Sequence, residues 1–365
     1  MKIATIQYEN YEKLHGGSYV KLLDMMNSLL ANNHKIYHFS PKGFKNIKHK
    51  NLYHIPLNFN SNPKIFFYYF NTIKEIYNRN INVIITFDAL DGIIGIIVKL
   101  IKRDIKSIIY LHADSYEGMI LAKINPIKIM MYLLIEKISI KFSNKVIFVS
   151  KYNKNKLLQR IHETKRKNVY VLYNSINEEM IKKSFEEITL IDNYFKIGFI
   201  GNLYWEGKGI KYLLEAITAI LLENNNVKLY IIGMGPDEKL ILKYIKEKNI
   251  KNNVILTGFV DNPLKYMKKF DLIVLPSLHE ASGLVILEAF QSNTPIIASN
   301  VGGIPEVLYF DELMFKPKSS DAIKLKIQEI ILSKQYYDKI KKLCQERKKK
   351  FIFDWGSELN YIIEK

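Results

Sequence analysis

Short runs of β-branched and aromatic residues recur along the chain, and each is separated from the next by a stretch of helical spacing. In the first half the runs are KIATIQY, KIYHFSP, VIITFD, SIIYLHAD, KVIFVS and VYVLYN; the pattern then restarts with KIGFIGNL, VKLYIIGMG, VILTGFV, DLIVLPS, PIIAS and LMFKP. Runs this apolar suit strands covered on both faces, and their alternation with helices predicts parallel α/β sheets. The expected fold class is α/β, with two doubly wound, Rossmann-like domains facing a cleft. Open parallel sheets bind ligands beyond the carboxyl ends of their strands, so the chemistry is expected there. Residues 1–175 form the expected first domain. The charged, irregular stretch 176–195 reads as a linker, and 196–345 as the second domain. In the final segment, 346–365, Trp355, Leu359, Ile362 and Ile363 recur at roughly helical spacing. That helix either closes the second domain or crosses back to the first.

At 365 residues the chain exceeds the usual size of one core, in keeping with two domains. A single cysteine, Cys344, rules out an intramolecular disulfide and fits a reducing compartment. The opening MKIATIQYENYEK reads as a first strand rather than a signal peptide, and runs such as GIIGIIVKLI are too short to span a bilayer. The expected location is cytoplasmic, either free or peripheral on the cytoplasmic face of the inner membrane. The formal net charge of +18 raises nucleic acid and anionic membrane as partners. Readers of bases and phosphates favour arginine forks, whereas arginine occurs here only at 79, 103, 160, 166 and 347. No nucleic-acid partner is expected. An anionic membrane surface is, because the segments Pro63–Arg79 and Pro126–Phe142 combine lysines with large apolar side chains at spacings that suit an interfacial helix. The alternative for both is a core helix with solvated lysines on its outer edge.

Several strand ends carry glycine. His15-Gly16-Gly17-Ser18 follows the first strand, and GNLYWEGKG places Asn202, Lys208 and Gly209 ahead of another helix. Gly233 and Gly235 in IIGMGP also close a strand. They are no dinucleotide fingerprint, since Glu238 stands where a third glycine is required. Glycine at a strand-to-helix turn lets backbone amides face an anion or a sugar. In HEASGLVILEAF, Ser282 reads as a helix N-cap and Gly283 opens access to the first N–H groups. Glu288 falls four residues after Leu284, on a face expected to be largely buried. A carboxylate there needs hydrogen-bond donors, and a ligand with hydroxyls can supply them. Gly302-Gly303 and Glu306 follow the strand PIIAS. The sequence has no Asp-x-Asp pair and no His/Cys cluster at ligand spacing, so neither a metal nor a cofactor is expected.

The order GNL…KG, IIGMG, TGFV, DLIVLPS, Glu280-x7-Glu288 and NVGGIPEV resembles the retaining nucleotide-sugar glycosyltransferases of family four, which have the GT-B fold. The resemblance covers essentially the whole chain and is strongest from Lys196 to Val307. It implies a nucleotide-diphosphate sugar, UDP- or GDP-linked, as co-substrate, and a glycan or lipid-linked acceptor in cell-surface polysaccharide or lipopolysaccharide synthesis. By the same resemblance, Lys208 and the amides of Gly283, Leu284 and Val285 stabilise the leaving diphosphate, and Glu288 takes the ribose hydroxyls. Glu280 and His112 meet the transferred sugar, Gly16 and Gly17 approach sugar and phosphates, and the main chain at Phe259 and Val260 holds the base. Gly233 completes the donor-binding set. Asn202 stands where members commonly carry arginine; it can donate a hydrogen bond but cannot neutralise phosphate. His112 has an alternative as a satisfied core histidine. Two other readings of the chain are a catalytically weak sugar- or membrane-binding homologue and a GT-B-fold sugar-nucleotide epimerase.

Overall fold

The alternation of strands and helices resolves into two parallel sheets in the computed structural model, which describes residues 1–7, 17–41, 48–57, 65–121, 124–176, 188–190, 193–223 and 225–365. Two compact units emerge, Met1–Tyr173 with Asp354–Lys365, and Asn174–Phe353.

In the first unit the strands are β1 (Lys2–Ile6), β2 (Lys35–Pro41), β3 (Leu52–Leu57), β4 (Val83–Thr86), β5 (Lys106–Leu111), β6 (Lys145–Phe148) and β7 (Val169–Val171). The helices are α1 (Gly17–Ala31), α2 (Ile65–Asn78), α3 (Ala89–Ile101), α4 (Ser115–Leu121), α5 (Pro126–Phe142) and α6 (Lys151–Arg160). The sheet order is β3-β2-β1-β4-β5-β6-β7, all parallel, and it reverses between β1 and β4. Central strands are buried throughout, as both-face coverage requires. Helix α3 lies close on the sheet because it carries glycines: a Cβ at Gly95 would sit 2.2 Å from Ser107 Oγ. Its N-terminus is capped by Asp88, whose carboxylate accepts from the Leu90 N–H. Helix α2 packs Ile76, with Tyr69 and Ile73, into the core of the sheet.

The second unit holds β8 (Phe195–Ile200), β9 (Val227–Ile232), β10 (Val254–Gly258), β11 (Leu272–Leu275), β12 (Ile296–Ser299) and β13 (Met314–Phe315). Its helices are α7 (Ile210–Glu223), α8 (Glu238–Glu247), α9 (Pro263–Met267), α10 (Leu284–Ser292), α11 (Ile304–Leu308), α12 (Ser320–Leu332) and α13 (Lys334–Lys348). The order β10-β9-β8-β11-β12-β13 repeats the same reversal, here between β8 and β11. The buried positions of α7 (Ile210, Leu213, Leu214, Ile217, Ile220 and Leu221) follow the helical period read from the sequence.

The last helix, α14 (Trp355–Glu364), belongs to the first unit. It buries Trp355, Leu359, Ile362 and Ile363, and Gly356 lets it approach Ser28 of α1. Its carbonyl end is held by lysines of the sheet. Lys145 Nζ donates to Ile362 O (2.6 Å) and Lys106 Nζ to Glu364 O (3.2 Å), a good match for the negative end of a helix. The chain therefore does return to the first domain.

Three expectations need revision. Residues 346–348 finish α13, and the returning helix starts only at Trp355. Residues 174–176 belong to the second unit, where the Ile176 N–H donates to Phe351 O (2.8 Å); most of the expected linker, 177–187 and 191–192, lies outside the described residues. Strand β3 was not anticipated: LYHIPL breaks its apolar run with His54 and carries Pro56, which suits an edge strand, and β3 is the edge.

Candidate functional site

In the second unit, β8 and β11 are neighbours at the point where the winding reverses, the position beyond whose carboxyl ends open parallel sheets bind ligands. The loop after β8 carries Asn202 and Lys208; the loop after β11 carries Ser277, Glu280 and Gly283. These loops are laced together by backbone. The Leu203 N–H donates to Met234 O (3.0 Å), the Asp237 N–H returns to Leu203 O (3.2 Å), and the Leu278 N–H donates to Gly207 O (3.0 Å). Gly209, at φ +67°, lies so close to β11 that a Cβ would fall 1.9 Å from Pro276 O.

This lacing brings together two side chains 72 residues apart in sequence: Lys208 Nζ donates to Glu280 Oε1 at 2.6 Å. Ser277 Oγ donates to the same oxygen at 3.3 Å. Both partners stay partly accessible, Lys208 at 27% and Glu280 at 15% of the side chain. The main chain of Glu280 is fixed as well. Its carbonyl accepts from the Gly303 N–H (2.9 Å), and Gly302, at φ +59°, sits so close that a Cβ would meet that oxygen at 2.0 Å. The paired glycines after PIIAS thus serve to seat Glu280.

Helix α10 opens differently from expectation. Its N-cap is Gly283 (φ 65°, ψ 62°), with no side-chain cap bond. Ser282 is not the cap: it is buried, and its Oγ accepts from Asn174 Nδ2 at 3.0 Å. The left-handed conformation at 283 removes the extended geometry that a serine cap needs. The first N–H groups of α10, those of Leu284 and Val285, have no acceptor within the helix, and the Ile286 N–H closes onto Gly283 O (2.9 Å). Glu288 lies in the second turn, half-buried rather than fully so. Asn202 is exposed, and Lys211 pairs with Glu206 at 3.5 Å. Gly233, at φ +140°, packs its Cα against Gly201 O, and its N–H donates to Gly258 O (2.9 Å). The ends of β8, β9 and β10 are thereby joined, with half-buried Val260 just beyond. An ammonium and open helix amides can take an anion; the carboxylates can take hydroxyls.

In the first unit, His112 follows β5. Its ring stacks on Phe87 (centroids 5.5 Å apart) and meets Tyr110 edge-on at 4.2 Å. Nε2 is buried with no hydrogen-bond partner among the described residues. Burial, and secondarily Lys21, push its pKa down to about 3, so the imidazole is neutral at physiological pH. It is not a satisfied core histidine. Gly17 begins α1, and Gly16 lies outside the described residues.

One part of the site gave no sequence signal. Two residues after His112, Asp114 takes both terminal nitrogens of Arg160 (2.7 and 3.0 Å), and Arg160 also reaches Glu136 at 2.9 Å. Ser115 Oγ donates to Asp88 Oδ2 at 2.6 Å. Among the described residues, no three His, Cys, Asp or Glu side chains are placed to hold a metal ion, and no helix is long and apolar enough to cross a membrane.

Two family profiles match consecutive parts of the chain: Glycosyltransferase Family 4 over residues 15–180 and Glycosyl transferases group 1 over residues 180–347. An uncharacterized glycosyltransferase of Methanocaldococcus jannaschii is 28% identical over 358 residues, covering 91% of this chain and 89% of its own. A capsular polysaccharide biosynthesis glycosyltransferase of Staphylococcus aureus is 28% identical over 252 residues, 66% of this chain and 64% of its own. Among solved structures, the Anabaena protein HepE in complex with UDP-glucose superimposes with a TM-score of 0.78 at 18% identity, over 100% of this chain and 98% of that one.

Proposed function

Since this chain belongs to the group 1, family four glycosyltransferases and has their two-domain GT-B fold, we propose that it transfers a sugar, with retention, from a UDP- or GDP-sugar to a glycan or lipid-linked acceptor in polysaccharide or lipopolysaccharide assembly. Work at the cytoplasmic face of the inner membrane suits such an acceptor. The observation that carries the reading is the Lys208–Glu280 pair set beside the open amides of α10.

In this reading Lys208, Asn202 and the amides of Gly283, Leu284 and Val285 receive the diphosphate and stabilise its charge as the glycosidic bond breaks, a fixed-dipole effect often worth more than any other catalytic contribution. Glu288 accepts from the ribose hydroxyls, and the main chain around Val260 takes the base. Gly233 keeps the strand ends close enough for that contact. Glu280 accepts from hydroxyls of the sugar. The family resemblance adds His112 as a contact to the sugar, and Gly16 and Gly17 as contacts to sugar and phosphate. The protein supplies no nucleophile. A donor phosphate oxygen helps to take the acceptor's proton as the acceptor attacks on the leaving-group face. Because lysine and helix amides meet the diphosphate, turnover needs no divalent ion.

The test is sugar release from UDP- and GDP-sugars, with and without an acceptor extract, in the presence of EDTA. Acceptor-dependent release that EDTA leaves intact is expected. Nucleotide binding without release from any donor would identify a catalytically weak homologue. Sugar interconversion without acceptor would identify an epimerase, and loss of turnover in EDTA that manganese restores would refute metal independence.

A further inference from the structure

Helix α5 turns its one carboxylate inward and an apolar stripe outward. Tyr132, Glu136, Ser139 and Ile140 face inward, with Tyr132 OH donating to Glu136 Oε1 (3.1 Å) and Arg160 paired to the same carboxylate. On the outer side Ile127, Met130, Met131 and Leu134 are 57 to 65% exposed. Their spacing of three, four and seven residues places them in one stripe. Exposed Ile120 and Ile124 lead into the stripe from α4, and exposed Phe142 stands at its far end. A surface helix ordinarily has the opposite arrangement, and a contiguous exposed apolar patch marks an interaction surface.

The same surface is basic. At 100° per residue, Lys128 and Lys137 fall on either side of the stripe and Lys141 at its C-terminal end, all exposed. The only carboxylate of α5, Glu136, is internal and neutralised by Arg160. We propose that this face of α5 seats in the headgroup layer of an anionic phospholipid bilayer, with Ile127, Met130, Met131 and Leu134 below the phosphates and the three lysines level with them. Pairing of two copies of the chain through the same stripe suits the charges less well, because a two-fold contact would bring the lysines of both copies together. Where the surface serves a lipid-linked acceptor, the proposal rests on the transfer reaction above; the membrane contact itself does not.

The full chain is floated with vesicles of phosphatidylglycerol and phosphatidylcholine, and with phosphatidylcholine alone, at low and high salt. The wild type should bind the acidic vesicles at low salt and release with added NaCl. Replacing Ile127, Met130 and Leu134 together by Ser should lower binding to acidic vesicles by about tenfold or more at any salt, given the apolar area removed from the contact. Replacing Lys128, Lys137 and Lys141 by Gln should abolish the preference for phosphatidylglycerol. Both variants replace exposed side chains, so thermal unfolding and sugar release from a soluble donor should match wild type. No binding of wild type to acidic vesicles at low salt would overturn the proposal, as would wild-type binding by the serine variant. So would a wild-type dimer, seen by sedimentation velocity, that the serine variant dissociates. Vesicle binding without any sugar release would leave the membrane surface standing and sink only the transfer reading.

Discussion

Lys208 and Glu280 neutralise each other in the free chain, so in the proposed reaction a donor diphosphate would have to draw Lys208 away from its carboxylate before the two could take separate roles. The strength of that hold sets the prediction. The bond is short, 2.6 Å, yet the side chains keep 27% and 15% of their exposure. Screening therefore places the pair near the upper end of the range for accessible ion pairs, about 1 kcal/mol, and well below the cost of breaking a fully buried pair. Glu280→Gln keeps the shape and a hydrogen-bond acceptor for Ser277 while removing the charge. Lys208 is released, and UDP or GDP should bind about fivefold tighter, although turnover of the natural sugar falls. Lys208→Met should weaken the same nucleotides by about 2 kcal/mol, the value of a charged hydrogen bond, and lower kcat about a hundredfold or more. Isothermal titration of UDP and GDP into both single variants and the double variant reads this directly. In the Lys208→Met background the Glu280→Gln gain should vanish, since its cause has been removed. Equal losses in both single variants, or a gain that persists in the double variant, would refute the reasoning.

Glu288→Ala should weaken nucleotide-sugar binding by about 1–3 kcal/mol with folding intact; unchanged donor affinity in a folded variant would remove the ribose assignment. Gly209→Ala forces a left-handed alanine, which costs about 1–2 kcal/mol, and pushes a methyl to 1.9 Å from Pro276 O. Urea unfolding should show a loss of at least about 2 kcal/mol, and a shift below about 0.5 kcal/mol would contradict the packing. Stability should also fall on mild acidification. His38 is buried, and desolvation first, then His54, holds its pKa down to about 3 against 6.5 when unfolded. Between those values only the unfolded chain takes the proton, so stability is complete above pH 6.5 and declines by about 1.4 kcal/mol per pH unit below it. Thermal melts from pH 7.5 to 5 should show the decline, to which His112, held down to about 3 by its own burial, adds in the same direction; His38→Gln should therefore lower the slope without abolishing it, and an unaltered slope in that variant would clear His38 of the effect.

Most of the strands were legible because parallel strands covered on both faces appear as continuous apolar runs, and twelve of the thirteen described strands carry one. The thirteenth, β3, did not: His54 interrupts its apolar run, and its edge position allows Pro56. In the site, Lys208, Glu280 and Gly283 could be picked out from their motifs, but the Lys208–Glu280 bond could not. It depends on β8 and β11 being neighbours, a property of the winding rather than of either loop. Ser282 illustrates a local rule losing to a tertiary contact: a good capping residue stands one position before a glycine whose left-handed backbone opens the helix instead, and the hydroxyl turns to Asn174. For His112 the sequence left two readings open; a buried Nε2 with no partner among the described residues removes the satisfied core histidine, and the contact with sugar is a proposal.

The two units hold their site residues by different physics. In the second, Gly209, Gly233 and Gly302 press backbone against backbone, each at a distance no Cβ could share. That geometry depends on neither charge nor pH. In the first, the loop that follows His112 is tied by a half-buried arginine between two carboxylates, and burial raises the pKa of Glu136 against the opposing pull of Arg160. A lysine could not replace Arg160, because one compact ammonium cannot span Asp114 and Glu136 with the five donors that the guanidinium spreads in a plane. The same network accounts for the unusual orientation of α5. Glu136 must face inward to meet Arg160, Tyr132 sits one turn before it on the same side, and the rotation that this fixes turns Ile127, Met130, Met131 and Leu134 outward. One charge cluster thus fixes the His112 loop and, through the rotation of α5 about its own axis, presents the apolar surface proposed to meet the membrane.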